Sequence, residues 1–102
     1  MALTNFGFIV KGDGLDPKRN VHVMESSTFR MTTIGISSLE QSLDAAKHLV
    51  DDDVQLIELC GAFGPIWTGR IIEAIEDAVP IGSVAYGPES IDRIHAIFAT
   101  DL

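Results

Sequence analysis

The chain reads as an α/β protein, a small and mostly parallel sheet alternating with helices in one domain over residues 1–102. Three observations predict this. Of the 102 residues 46% are hydrophobic, enough for one packed core. Apolar residues fall in short runs of strand length separated by polar clusters. From Met31 onward strand-like and helix-like segments alternate with tight connections, the pattern of parallel strands joined by right-handed crossovers.

Four segments have strand character: residues 6–10, 31–36, 54–60 and 81–86. The first reaches the second through the long link 12–30, where Asp16-Pro17 marks a turn or a short helix start. A helix there needs Val21, Val23 and Met24 on one inner face, whereas Val21-His22-Val23 alternates as an extended segment does. Both readings stand. The first clear helix opens around residues 38–41, with Ser37 and Glu40, or Ser38 and Gln41, spaced as a capping box. Leu39, Leu43, Ala46 and Val50 form its expected stripe. A second helix follows Gly64, with Pro65 where a missing N–H costs nothing and Thr68, Ile71, Ile72, Ile75 and Val79 facing inward. The third starts near Pro88-Glu89 and carries Ile91, Ile94, Ile97 and Phe98.

About four mostly parallel strands with three helices give a two-layer or three-layer domain, flavodoxin-like or Rossmann-like in arrangement. So small a sheet leaves strand edges and a helix-poor face uncovered. A homo-oligomer is the expected remedy.

Seven Lys and Arg against fifteen Asp and Glu give a formal charge of −8, which repels phosphate backbones and argues against nucleic-acid binding. The strand-like apolar runs are far short of the roughly 18 residues that cross a bilayer. No membrane partner is expected. Residues 1–5 lack the basic region and apolar stretch of a secretory signal, so a cytoplasmic location is the expectation. Cys60 is the one cysteine, which excludes an intramolecular disulfide or a multi-cysteine metal cluster. Asp51-Asp52-Asp53 reads as a solvated turn rather than a metal site.

In open parallel sheets ligands bind beyond the carboxyl ends of the strands, here residues 11–13, 37–38, 60–64 and 86–89. The run Glu58-Leu59-Cys60-Gly61-Ala62-Phe63-Gly64-Pro65 carries a strand into a helix through two glycines. Free N–H groups near Ile66 and Trp67 at that helix start suit an anion, although the plainer reading is that the two glycines only make the turn. Alternation puts Glu58 and Cys60 on one face, and a strand covered on both sides would bury the Glu58 carboxylate. Such a group is a candidate general base, or else half of a structural ion pair with Lys11. Cys60 near a helix start is a candidate nucleophile, against the plainer reading of an inert packed thiol. Tyr86 and Trp67 would wall a planar ligand or fill a subunit interface, and Lys11 and His22 would stand at the rim.

Those residues also carry a resemblance. Phe8-Ile9, Asp16-Pro17, Thr33-Ile34-Gly35-Ile36, Val79-Pro80-Ile81-Gly82 and above all the Glu-Leu-Cys-Gly run at 58–61 resemble a family of small uncharacterised bacterial proteins classed as a domain of unknown function. No activity comes with that resemblance. The order of elements and the turn Gly12-Asp13-Gly14-Leu15-Asp16 are also similar to cobalamin-binding domains, but Leu15 and Lys18 stand where their motif has histidine and glycine. Cobalamin is therefore not supported, and the cofactor is left unknown.

The sequence thus leads to a small-molecule binding protein, an anionic metabolite among its candidate ligands, or a small enzyme with Glu58 and Cys60 as catalytic groups. Lys11, His22, Gly61, Gly64, Trp67 and Tyr86 would bind the ligand. Whether it is an enzyme stays open. The alternative is a non-catalytic oligomeric module in which the same rim is a subunit interface.

Overall fold

The computed structural model describes residues 2–99. Five strands form one sheet: β1 (Asn5–Lys11), β2 (Val21–Glu25), β3 (Arg30–Ile36), β4 (Ile57–Leu59) and β5 (Ile81–Ser83). Their order is β2-β3-β1-β4-β5. β1, β3, β4 and β5 run parallel, and β2 pairs antiparallel with β3 at the edge. The helices are α1 (Gln41–Asp51), α2 (Gly64–Ala74) and α3 (Ile91–Phe98), the last preceded by a 3₁₀ turn at Pro88–Ser90. The class is the α/β class expected, with one strand more than the four the sequence suggested.

The extra strand settles the long link, in which the extended reading of Val21-His22-Val23 prevails over the helical one. Asp16 anchors the turn before it: its Oδ1 accepts from the Lys18 N–H at 2.9 Å, while its own N–H donates to Asn20 Oδ1 at 2.9 Å. A tight return, closed by Ser26 N–H to the Phe29 carbonyl at 2.9 Å, then sets β2 against β3. Two expected strands are shorter than their apolar runs, since only Ile57–Leu59 and Ile81–Ser83 find ladder partners.

Taken without β2, the parallel strands follow the flavodoxin-like order, in which β1 is central and the chain reverses direction beside it. The crossovers from β3 to β4 through α1 and from β4 to β5 through α2 move the same way along the sheet. Right-handed crossovers in one direction lie on one face. Accordingly α1 and α2 pack against each other and on the same side of the sheet.

The core sits between that helical layer and the sheet, built from Ile9, Ile34, Ile36, Ile57, Leu59, Leu49, Ile71 and Ile75 among others. Strand alternation sends Gly7 and Ile9 of β1 toward the helices, together with Thr32, Ile34 and Ile36 of β3 and Ile57 and Leu59 of β4. The inner face of α1 is Ser42, Ala45, Ala46 and Leu49, turned from the expected stripe, with Leu43 and Val50 left half-buried at its margin. Ser42 is tolerated there because its hydroxyl donates to the Leu39 carbonyl. The expected Ile71 of α2 and Ile75 at its C-terminal cap are buried, with Thr68 and Ile72 half-buried beside them; the helix ends at Ala74, so Val79 reaches the core margin from the loop beyond it and not from the helix face expected.

Gly7 permits this layer to close. A Cβ at position 7 would lie 2.6 Å from Leu49 Cδ1, inside contact distance of a side chain that is itself fully buried. Gly7→Ala is therefore expected to destabilise the fold by about 1–3 kcal/mol through overpacking. Denaturant midpoints in a double-mutant cycle with Leu49→Ala check it: the pair should cost less than the sum of the single changes, and strict additivity would refute the contact.

Candidate functional site

Two places at the carboxyl ends of the strands bring polar groups together. They lie on opposite sides of the sheet.

The first is a cluster on the face without helices, where β1 and β4 end. This is the switch point of the topology, the position at which the strand order reverses. The Lys11 N–H donates to Cys60 Sγ at 3.3 Å, tying the two strand ends together. Tyr86 lies over Gly61, close enough that a Cβ at position 61 would come within 3.1 Å of its ring. Gly64 has φ +65, so its glycine is required by the backbone at the start of α2. Cys60 is a partly buried free thiol packed against the core margin.

Glu58 shares this face, but it is exposed rather than buried. The expectation of a buried carboxylate rested on a strand covered on both sides, and here the helices cover one side only. The predicted site residues are therefore only partly gathered. Glu58, Cys60, Gly61 and Tyr86 are neighbours. Alternation turns the Lys11 side chain to the other face, leaving its backbone as the contact. His22 stands in the same lateral row as Thr33, Phe8 and Glu58, three strands from Glu58 and thus about 14 Å away at ordinary strand spacing. Trp67 belongs to the helical layer, half-buried against the core, with the Arg70 guanidinium 4.7 Å from its ring centroid.

The second place is a groove of about 970 Å³ on the helical side, between the link after β1 and the first two turns of α1. Its floor is apolar, from Ile34 of β3, Ala45 of α1 and Val21 of β2, with Leu15 and Pro17 of the link on one wall. Ser37, Gln41, Asp44 and His48 bring polar groups along the other wall, and Asp16 and Lys18 stand at the mouth. Leu15, at the position where a cobalamin motif would carry histidine, is seated against Gly12 and Gly35. His48 also lines the groove, with Nε2 3.4 Å from Asp52 Oδ2.

Gln41 fixes the polar wall. Its Oε1 accepts from the N–H groups of Ser37 at 2.9 Å and Ser38 at 3.1 Å, the reach-back half of the predicted capping box. That box was one legible part of the groove. The apolar floor was not, because Leu15, Val21, Ile34 and Ala45 meet only in three dimensions. Among the described residues no three His, Cys, Asp or Glu side chains are placed to hold a metal ion, and Asp51, Asp52 and Asp53 form the exposed end of α1 with Asp53 at φ 62. Nor is any described helix long and apolar enough to cross a membrane.

A family model covers residues 4–99 of this sequence. The chain belongs to a family of unknown function, DUF6506. Among curated proteins no sequence matches it. The resemblance read from the Glu-Leu-Cys-Gly run is thus a family membership that spans nearly the whole chain and carries no activity with it.

The capping role of Gln41 is open to measurement. Gln41→Ala should free the Ser37 and Ser38 amides, cost about 0.5–1.5 kcal/mol and speed their hydrogen exchange. Unchanged exchange at both amides would show that the wall holds without it.

Proposed function

We propose that the chain is a small-molecule binding protein whose site is the groove between residues 14–18 and α1, at the carboxyl ends of β1 and β3. One observation carries this reading: a groove of about 970 Å³ combines an apolar floor, buried at Ile34 and Ala45, with convergent polar groups, as ligand sites do. Its charged groups are Asp16 and Asp44 against Lys18, on a chain of net charge −8. That balance favours a neutral or cationic molecule with an apolar body over the anionic metabolite first considered. Ser37 and Gln41 would orient its polar end, the Gln41 side-chain amide retaining donors while its oxygen caps the turn.

Catalysis at the Glu58 and Cys60 cluster is the second reading, favoured by its place at the switch point. It is weaker because that cluster lies on a flat, open face with an exposed carboxylate. We place the protein in the bacterial cytoplasm, a setting supported by the lone free Cys60.

Thermal shift against amines, neutral amphiphiles and carboxylates distinguishes the two sites. A ligand present at a hundred times its Kd adds about 2.7 kcal/mol, a rise of roughly ten degrees or more for a domain of this size. Val21→Trp, which fills the groove from the exposed edge of its floor, should abolish the rise, and Glu58→Gln should leave it intact. The reverse pattern would move the site to the open face, and no rise with any compound would sink the binding reading.

A further inference from the structure

The face of the sheet opposite α1 and α2 has no helical layer: Leu15 and Asn20 of the link cover it at Gly35, His22, Thr33 and Glu58 are its polar members, and a patch of large apolar side chains lies between them. Met24, Met31 and Phe6 stand side by side on β2, β3 and β1, and Phe8 and Val10 continue the row up β1. Phe29 extends the patch, with its ring centroid 5.7 Å from that of Phe6. In a doubly wound fold the connection from β1 to β3 carries a helix over this face. Here the link covers only the end of the face at Gly35 before it forms β2, and no helix crosses Phe6, Phe8, Met24 and Met31.

The same chain carries a helix without a surface. Ile91, Ile94, Ile97 and Phe98 fall on one stripe of α3, yet none of its residues is buried, and among the described residues its main packing is against its own leading turn. Ile91, Ile97 and Phe98 are 62%, 63% and 54% exposed. A helix of eight residues is not stable in water by itself, since isolated helices shorter than about 12–15 residues are marginal. Its helical state calls for a packing partner.

Area makes the same point. A folded monomer of this mass has an accessible surface of about 5,600 Å². This chain has 6918 Å². The surplus of about 1,300 Å² exceeds the roughly 800 Å² that each partner contributes to a stable interface of standard size. The radius of gyration, 14.2 Å, likewise exceeds the roughly 12.8 Å of a compact chain of this length.

We propose that the occupant of the open face is a second copy of the chain, in a two-fold dimer where α3 of each copy lies across Phe6, Phe8, Met24 and Met31 of the other. Each chain then supplies the helix its partner's sheet lacks, and the contact closes after two copies. Glu58 on β4 stays at the rim of the patch, where its carboxylate keeps access to water. The groove lies on the other side of the sheet, so this inference is independent of the ligand proposed there.

Sedimentation of the full chain at tens of micromolar tests it. The wild type should have about twice the monomer mass of 11.0 kDa. Ile97→Asp combined with Phe98→Asp, and separately Phe8→Asp, should each give a monomer that retains a cooperative thermal transition. If Phe8→Asp fails to fold, Met24→Asp at the 66% exposed edge position takes its place. Mixing the helix variant with the sheet variant should restore a dimer, because one intact helix then meets one intact face. A monomeric wild type, a variant that stays dimeric, or a mixture that stays monomeric overturns the proposal; a variant that stays dimeric is the result a helix-to-helix or sheet-to-sheet contact would give.

Discussion

Both crossover helices travel in the same direction along the sheet, and this constraint governs the rest of the structure. Right-handed connections then put α1 and α2 on one face. All of the buried core is consequently on that side, including Leu49 in the space Gly7 leaves. The third connection, from β1 to β3, moves the other way and would have carried a helix to the second face. Because that link spends its residues on an antiparallel edge strand, the second face has no helical layer of its own.

Much of the fold was legible because strands and helices announce themselves by period. The places where sequence and structure part have a common cause. Ile57-Glu58-Leu59 alternates apolar, charged, apolar, which is the pattern of a strand covered on one side. Read with the assumption that parallel strands are covered on both, the same residues suggest a buried carboxylate, and Glu58 is in fact exposed. β1 gave no such warning, since Phe6, Phe8 and Val10 on its bare face are as apolar as Ile9 on its covered one. In α1 the stripe of larger residues pointed to Leu43 and Val50. Ala46 of the expected stripe is buried, but it is joined by Ser42, Ala45 and Leu49 in place of Leu43 and Val50, because the helix approaches the sheet closely over Gly7 and small residues fit there.

The candidate sites divide along the same line. Glu58, Cys60 and Gly61 are adjacent in sequence, so their clustering could be foreseen, and Tyr86 joined them through the ordinary geometry of strand ends. The groove is assembled from the link, β2, β3 and α1, and its floor depends on a strand whose existence the sequence left undecided. The Ser38 and Gln41 spacing, the turn at 12–16 and the strand-end position of Ser37 each pointed to one wall, and none showed that the walls meet. Local patterns reveal caps and turns, whereas a concavity depends on the angle at which distant segments meet.

β3 is the element that the groove and the open face share. Ile34 contributes to the groove floor, while Met31 and Thr33 look out on the opposite side. A ligand that moved β3 along its length would therefore shift both surfaces at once. β3 resists such movement, being held by full ladders to β1 on one edge and β2 on the other. A one-residue slip would turn Ile34 out of the core and Thr33 into it. The two surfaces share a strand but are separated by its register, which is why binding in the groove and pairing across the open face are expected to be energetically independent.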